Sequence, residues 1–450
     1  MAQIKKVLIA NRGEIAVRII RACREFGSQS VAVYSDIDRM APHVRMANEA
    51  YRIGPAPAVD SYLQIGRLID VAKKSGCDAV HPGYGFLAEN EDAAAEFESA
   101  GIIWVGPPAS AIRLMGDKLT ARTSAAAAGL PLVPGIGKTG RMPDEELLAA
   151  APKVGFPLLV KAAAGGGGKG MRMVASLEGL PEAIRVARRE AEAAFGDDRV
   201  YLERLVRNAR HIEIQILGDQ HGNMFHLWER DCSTQRRHQK LIEESPSPRL
   251  PQAIRQKMAD AAVRLAKTAG YYSAGTVEFI VDQQDNFYFI EVNARIQVEH
   301  PVSEMVTGID LLKAQIRVAA GEKLDLKQAD IKPRGHAIEC RINAEDPDAN
   351  FRPCPGRIDR IIAPGGFGVR WDSHATTGYV VPPYYDSLVG KLIVHQPTRK
   401  EAIETMIRAL KELRVEGIKT TVPLHLKVLA NTAFHEAQVD TTFVERMLAS

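Results

Sequence analysis

Over its first hundred residues the chain alternates short apolar runs with helical stripes, and this alternation limits the possible folds most sharply. Ile4 to Ala10, Val31 to Ser35, Asp78 to His81 and Ile102 to Val105 read as strands. Gly13 to Phe26, with Ile15, Ile19, Ala22 and Phe26 on one stripe, reads as a helix, as do Tyr62 to Lys74 and Glu91 to Ala100. Strands separated by helices pair in parallel, so a doubly wound α/β domain is expected. Ligands of such domains bind at the carboxyl ends of the strands. The loop His81-Pro82-Gly83-Tyr84-Gly85-Phe86 follows one such strand. A Tyr84 presented to a ligand and a Tyr84 packed into a tight turn both fit that loop. The first turn reads Asn11-Arg12-Gly13-Glu14 rather than G-x-G-x-x-G, which excludes a nicotinamide site there.

A length of 450 residues, 46% of them hydrophobic, suggests about three domains with cores of their own. A linker follows Pro107-Pro108, and a compact α/β module runs from Pro131 to about Glu203. An α+β region with charged loops extends to Pro333; short strands, turns and two helices, Thr398 to Leu413 and Val422 to Leu429, come after Gly335. Lysine and arginine total 58 against 55 acids, a net charge of +3, and aromatics make up 6%. That balance favours neither nucleic acid nor a membrane surface. The five cysteines are scattered without a C-x-x-C pair, so no disulfide framework or thiolate zinc site is expected. Cys232 alone lies among charged residues of interest. The apolar run from Val7 to Ala10 is too short for a signal-peptide core, and a cytoplasmic enzyme is the default.

Three segments carry chemistry. Phe156 to Met171 is an apolar strand ending in Lys161, followed by Gly165-Gly166-Gly167-Gly168-Lys169-Gly170. Glycine amides can close around phosphate oxygens beside lysine charge, although the P-loop pattern does not fit and a plain flexible loop remains open. Gly275 to Val281 and Asn286 to Asn293 read as a hairpin centred between Gln284 and Asp285, which sets Glu278 opposite Glu291. Opposed like charges destabilise a sheet unless a cation lies between them, and Asn293 adds a third oxygen on that face. Magnesium or manganese bridging ATP phosphates suits this set; a shifted register with separately solvated acids is the alternative. Arg295, Gln297, Glu299 and His300 follow directly, as anion clamp and general base or as a surface ion pair. The run Glu229 to Lys240 read alone is a solvated charged face, and Glu339 and Arg341 share one face of a strand.

Together these segments resemble the biotin carboxylase family of the ATP-grasp superfamily. The likeness rests on K-V-L-I-A-N-R-G-E-I-A, H-P-G-Y-G-F, R-L-M-G-D-K, the four-glycine run, R-D-C-S-T-Q-R-R-H-Q-K, F-I-E-V-N-A-R-I-Q-V-E-H-P, A-I-E-C-R-I-N-A-E-D-P, A-P-G-G-F-G-V-R and P-P-Y-Y-D-S, in family order. The resemblance implies an N-terminal domain over 1–116, an ATP-grasp domain over 117–333 with a mobile glycine-rich lid at about 131–203, and a C-terminal α+β domain over 334–445. ATP would meet Lys118, Lys161, the glycine run and Met171. Its adenine would lie by Glu203, Arg204 and Leu205, near His211, Gln235, His238 and Ile280. Glu278, Glu291 and Asn293 would hold two Mg2+ or Mn2+ ions, and Lys240, Arg295, Gln297 and the Val298 backbone would hold bicarbonate.

By the same resemblance Glu299 is the base that makes carboxyphosphate, Arg341 stabilises the biotin enolate, and Tyr84 lines the biotin pocket. Implied partners are a separate biotin carboxyl carrier protein, since no A-M-K-M segment follows, carboxyltransferase subunits, and a second copy through Arg18, Glu25, Phe367 and Arg370. Acetyl-CoA carboxylase is the expected host, with a pyruvate or other acyl-CoA carboxylase as the alternative. Glu203-Arg204, Lys169 and a longer hairpin turn depart slightly from relatives. Another ATP-grasp ligase would lack the R-I-Q-V-E-H-P and E-C-R-I-N-A-E-D-P pair. A non-catalytic subunit would have lost one of Lys118, Lys161, Lys240, Glu278, Glu291 or Glu299.

Overall fold

The computed structural model describes residues 3–164 and 171–449. The glycine run Gly165 to Gly170, with Lys169, lies outside the described residues.

The N-terminal strands form a parallel five-stranded sheet in the order Glu49–Gly54, Gln29–Ser35, Lys6–Ile9, Ala79–His81, Ile103–Trp104. The expected alternation is present, with one addition: Glu49–Gly54 is an edge strand. Its mixed, half-exposed pattern carries no buried apolar run, so it gave no strand signal. Strand order reverses on either side of Lys6–Ile9, so the loops after Lys6–Ile9 and Ala79–His81 diverge and leave a crevice. Asn11 pins the second loop there, its amide donating to the carbonyls of Pro82 at 2.7 Å and Tyr84 at 2.8 Å.

A separate four-stranded sheet, Gly135–Ile136, Val200–Arg204, Leu158–Ala162 and Arg172–Val174, carries two helices, Asp144–Val154 and Leu180–Phe195. Leu147, Val160, Ile184 and Leu202 close a small core of their own beneath it.

The third sheet positions the chemistry. Eight antiparallel strands run in the order Phe287–Asn293, Ser273–Val281, Arg210–Gly218, Met224–Arg236, Gln239–Ser245, His336–Asn343, Leu388–Gln396, Val369–Ser373. It passes without a break from the middle of the chain into its C-terminal third. Helix Arg399–Glu412, started by a Thr398/Glu401 capping box, covers the C-terminal part through Ile403, Met406 and Leu410.

The hairpin corrects the expected turn while keeping its consequence. The turn centres on Gln284, with Val281 opposite Phe287, Ile280 opposite Tyr288 and Phe279 opposite Phe289. Asp282 caps it, its carboxylate accepting from the Gln284 and Asn286 amides at 2.9 Å each. The register then shifts by one residue at Ile290, so that Glu278 does stand opposite Glu291 and Thr276 opposite Asn293. A one-residue offset in the turn is cancelled by a one-residue bulge.

Candidate active site

Cross-strand register lays a row of charge over the long sheet. Glu291 pairs with Glu278, Glu278 with Glu213, and Glu213 with Arg230. Three carboxylates side by side repel one another, so the row stands only because cations answer it. Arg230 is fully buried and donates to Glu213, to Gln215 at 2.6 Å, Gln297 at 2.7 Å, and Ser303 and Thr276 at 3.0 Å. Lys240 reaches Glu213 at 2.6 Å, Glu278 at 3.0 Å and Glu299 at 2.6 Å. Burial opposes the Lys240 charge, but the surrounding acids outweigh it and push its pKa well above the ordinary lysine value.

Glu299 sits at the N-cap of helix His300–Thr307, between two cations: Lys240, and Arg341 at 2.9 Å. Burial favours its neutral form; Lys240, Arg341 and Arg230 reverse that and hold its pKa below the usual carboxylate range. Glu278 is lowered likewise, against burial, by Lys240 and by His211, whose Nε2 lies 3.0 Å away. Arg341 also donates to Glu243 at 2.6 Å, and there burial prevails, lifting Glu243 to about 7.

These groups face a cavity of about 650 Å³. All the site residues expected for ATP, metal, bicarbonate and biotin that fall within the described residues line it, from Tyr84 and Lys118 through Met171 to Arg341. On the side where ATP is expected, Lys161 is tied to Glu203 at 2.7 Å, and Arg122 holds the same carboxylate. Both oxygens of the Glu203 carboxylate are thus held by cations. Lys118 lies 3.7 Å from Glu291, the one ion pair of that quarter-exposed glutamate among the described residues. Glu291 thus keeps lone pairs for a hard cation, and with Glu278 and Asn293 it makes an oxygen donor set that fits Mg2+. Glu278 also clusters with His211 and Glu213, their ligand atoms within 4.8 Å of one another. Arg295 is aimed by Glu89 at 2.9 Å and by the Asn293 side-chain oxygen at 2.9 Å.

The segment Glu229 to Lys240 is a solvated face only at Arg237 to Gln239. It contains most of the buried strand Met224–Arg236, central in the sheet and covered on both sides, which is why charge there does not mean exposure. Glu213, Arg230 and Glu89 were missed in the sequence. For Glu213 a signal exists: His211-Ile-Glu213-Ile-Gln215-Ile alternates isoleucines with polar residues on one face. Of the residues expected at a homodimer face, Phe367 is 85% exposed, and Glu25 pairs with Lys313 on the surface. Arg18 is instead buried on Glu304 and Asp310, and Arg370 shares Glu304 with it. No helix among the described residues is long and apolar enough to cross a membrane.

Residues 3–112 match the family described as biotin carboxylase, N-terminal domain; residues 117–327 match carbamoyl-phosphate synthase L chain, ATP binding domain. Residues 339–446 match the biotin carboxylase C-terminal domain. Biotin carboxylase 1 of Bacillus subtilis is 55% identical over 444 residues, 98% of each chain. A pyruvate carboxylase subunit of Methanothermobacter thermautotrophicus is 52% identical over 98% of this chain and 89% of its own. The biotin carboxylase domain dimer of Hydrogenobacter thermophilus 2-oxoglutarate carboxylase was solved with MgADP, ADP and bicarbonate. It superposes with a TM-score of 0.96 at 48% identity, over 99% of this chain and 98% of that one. With three family matches in sequence and relatives half identical from end to end, the chain belongs to the biotin carboxylase family of ATP-dependent ligases.

Proposed function

We propose that the chain uses ATP and bicarbonate to carboxylate biotin borne on a separate carrier protein, by way of carboxyphosphate. The observation that carries this reading is Glu299, held ionised between Lys240 and Arg341 in the cavity that the Glu278–Glu291 hairpin and Tyr84 also line.

Bicarbonate fits against Lys240, Arg295, Gln297 and the backbone of Val298. Its negative charge competes with Glu299 for Lys240, which loosens the pair and makes Glu299 a better proton acceptor. Glu299 takes the bicarbonate proton as a bicarbonate oxygen attacks the γ-phosphorus and ADP leaves. Lys118 and Lys161 answer the charge on the phosphoryl oxygens. Mg2+ or Mn2+ at Glu278, Glu291 and Asn293 supplies further neutralisation there when bound. Carboxyphosphate parts into carbon dioxide and phosphate, and the phosphate takes the ureido proton of biotin. Arg341 stabilises the enolate so formed, Tyr84 walls the biotin, and the enolate nitrogen captures carbon dioxide.

We assign the host as acetyl-CoA carboxylase, feeding fatty acid synthesis with malonyl-CoA. The Methanothermobacter thermautotrophicus relative, named for pyruvate carboxylase, favours a keto-acid carboxylase as the second reading. A homodimer through the Phe367 face fits the dimer named for the Hydrogenobacter thermophilus domain. The test is ADP release by the purified chain with bicarbonate, with and without biotin. Biotin should stimulate release, and Glu299→Gln should keep ATP binding while abolishing turnover. A folded, ATP-binding chain that biotin does not stimulate ends the reading. Recovery of the native complex, and the carboxyltransferase found in it, decides the host.

A further inference from the structure

Lys391 is a buried cation that the mechanism above leaves without a task. It lies in strand Leu388–Gln396 with no exposed surface. Its register partners are Arg341 on one neighbouring strand and Asp372 on the other, and Glu339 and His300 also face it. Its ammonium donates to the Val298 carbonyl at 2.8 Å and lies 3.2 Å from Glu14 Oε2. That same oxygen of Glu14 accepts the Tyr84 hydroxyl at 2.7 Å, while Glu14 Oε1 is buried without a partner. Glu14 stands in the first turn of helix Gly13–Phe26.

The carbonyl that Lys391 holds belongs to the peptide joining Val298 to Glu299. Fixing that oxygen fixes the plane from which the Glu299 side chain departs. A lysine that served only to neutralise Glu14 would have no need of the main chain at Val298. We propose that Lys391 is a positioning residue: it sets the stance of Glu299 through the Val298 carbonyl and, through Glu14, ties that stance to Tyr84. This rests on the reading of Glu299 as the base and Tyr84 as the biotin wall. A chain of three contacts then joins the wall of the biotin pocket to the base that acts on bicarbonate, 70 residues apart at one link and 93 at another.

The experiment compares the full chain with Lys391→Met, Glu14→Gln, their double variant and Tyr84→Phe, measuring nucleotide affinity, kcat, and KM for bicarbonate and biotin. Lys391→Met should bind ADP within about twofold of wild type and lose about tenfold or more in kcat, equivalent to about 1.4 kcal/mol. Tyr84→Phe should raise KM for bicarbonate as well as biotin, although the tyrosine touches only the biotin side. If Lys391→Met does not fold, the double variant, which also removes the Glu14 charge that Lys391 answers, should fold and show the same loss. Normal kcat and bicarbonate KM in either folded Lys391 variant overturns the proposal. So does a loss of ADP affinity in step with kcat, since that marks general collapse. Wild-type chain without biotin-stimulated turnover instead removes the function on which the proposal stands.

Discussion

Replacing Arg230 with methionine is the most severe single test of the site's electrostatics. Arg230 is fully buried and its guanidinium answers Glu213, which is also fully buried. Removing one partner of such a pair typically destabilises by about 3–5 kcal/mol, because the other charge is left in a poorly polarisable interior. Glu213 keeps Lys240 at 2.6 Å, so the loss falls toward the lower end, about 3 kcal/mol. In a cooperative unit of ordinary domain size that lowers Tm by roughly 6–12 °C. Lys240 is then drawn harder onto Glu213 and away from Glu299, and Gln297 loses the donor that orients its side-chain oxygen. Turnover should fall about tenfold or more while ATP binding changes little. The companion variant Glu213→Gln/Arg230→Met removes the orphaned charge and should regain about 1–2 kcal/mol, read by urea unfolding followed by far-ultraviolet circular dichroism. If Arg230→Met costs under about 1 kcal/mol, or if the double variant is no more stable than the single, the row of charge is not balanced as described.

Lys161→Gln removes a buried cation from the ATP side and should raise KM for ATP by about 10- to 100-fold, from a charged contact worth about 1.5–3 kcal/mol; unchanged nucleotide titration contradicts it. Gly83→Ala places a Cβ 3.0 Å from the Asn11 amide at a φ of +65°, a conformation costly for alanine. Displacing Asn11 frees the Tyr84 loop, so KM for biotin should rise with ATP affinity intact. Glu244, bonded to His336 and to Arg399 at 2.7 Å each, is lowered to about 2: burial opposes the charge, and both partners override it. Its stabilising effect is therefore complete above the ordinary carboxylate pKa and fades as pH falls toward 2. Glu244→Gln should lose about 3 kcal/mol at pH 7 but only about 1.4 kcal/mol at pH 3, and a gap between variant and wild type that widens on acidification is the contrary result.

Much of the site was legible because its signals are local. The glutamate pair announced itself through two strand-like runs with acids at matching distance from one turn, and Tyr84 through its place after a parallel strand. What was hidden depends on tertiary cover. A single sequence cannot say that Met224–Arg236 is buried on both faces, so Arg230 reads as solvated charge. Nor can it show that Glu89 reaches Arg295 from 206 residues away. The edge strand Glu49–Gly54 escaped because an edge has no periodic burial to display. The Ile290 bulge is silent in sequence, and the Glu278–Glu291 pairing came out right only because it offset the turn.

The long sheet separates two kinds of boundary that are easily taken for one. Family matches break between residues 327 and 339, so inheritance places a seam there. Strands Gln239–Ser245 and His336–Asn343 nevertheless pair across that seam, Ile242 with Cys340 and Glu243 with Glu339. Lys240 and Arg341, supplied from opposite sides of it, grip the same glutamate. Chain exchange at this point would mean transplanting half of a hydrogen-bonded sheet, and a chimera joined there would have to match register before it could match chemistry. Relative motion of the two sides is opposed for the same reason: Glu213, Lys240 and Arg341 stand on strands of one hydrogen-bonded sheet, as teeth on one comb. The smaller sheet of Gly135–Ile136 to Val200–Arg204 shares no strand with the comb and is free of that constraint.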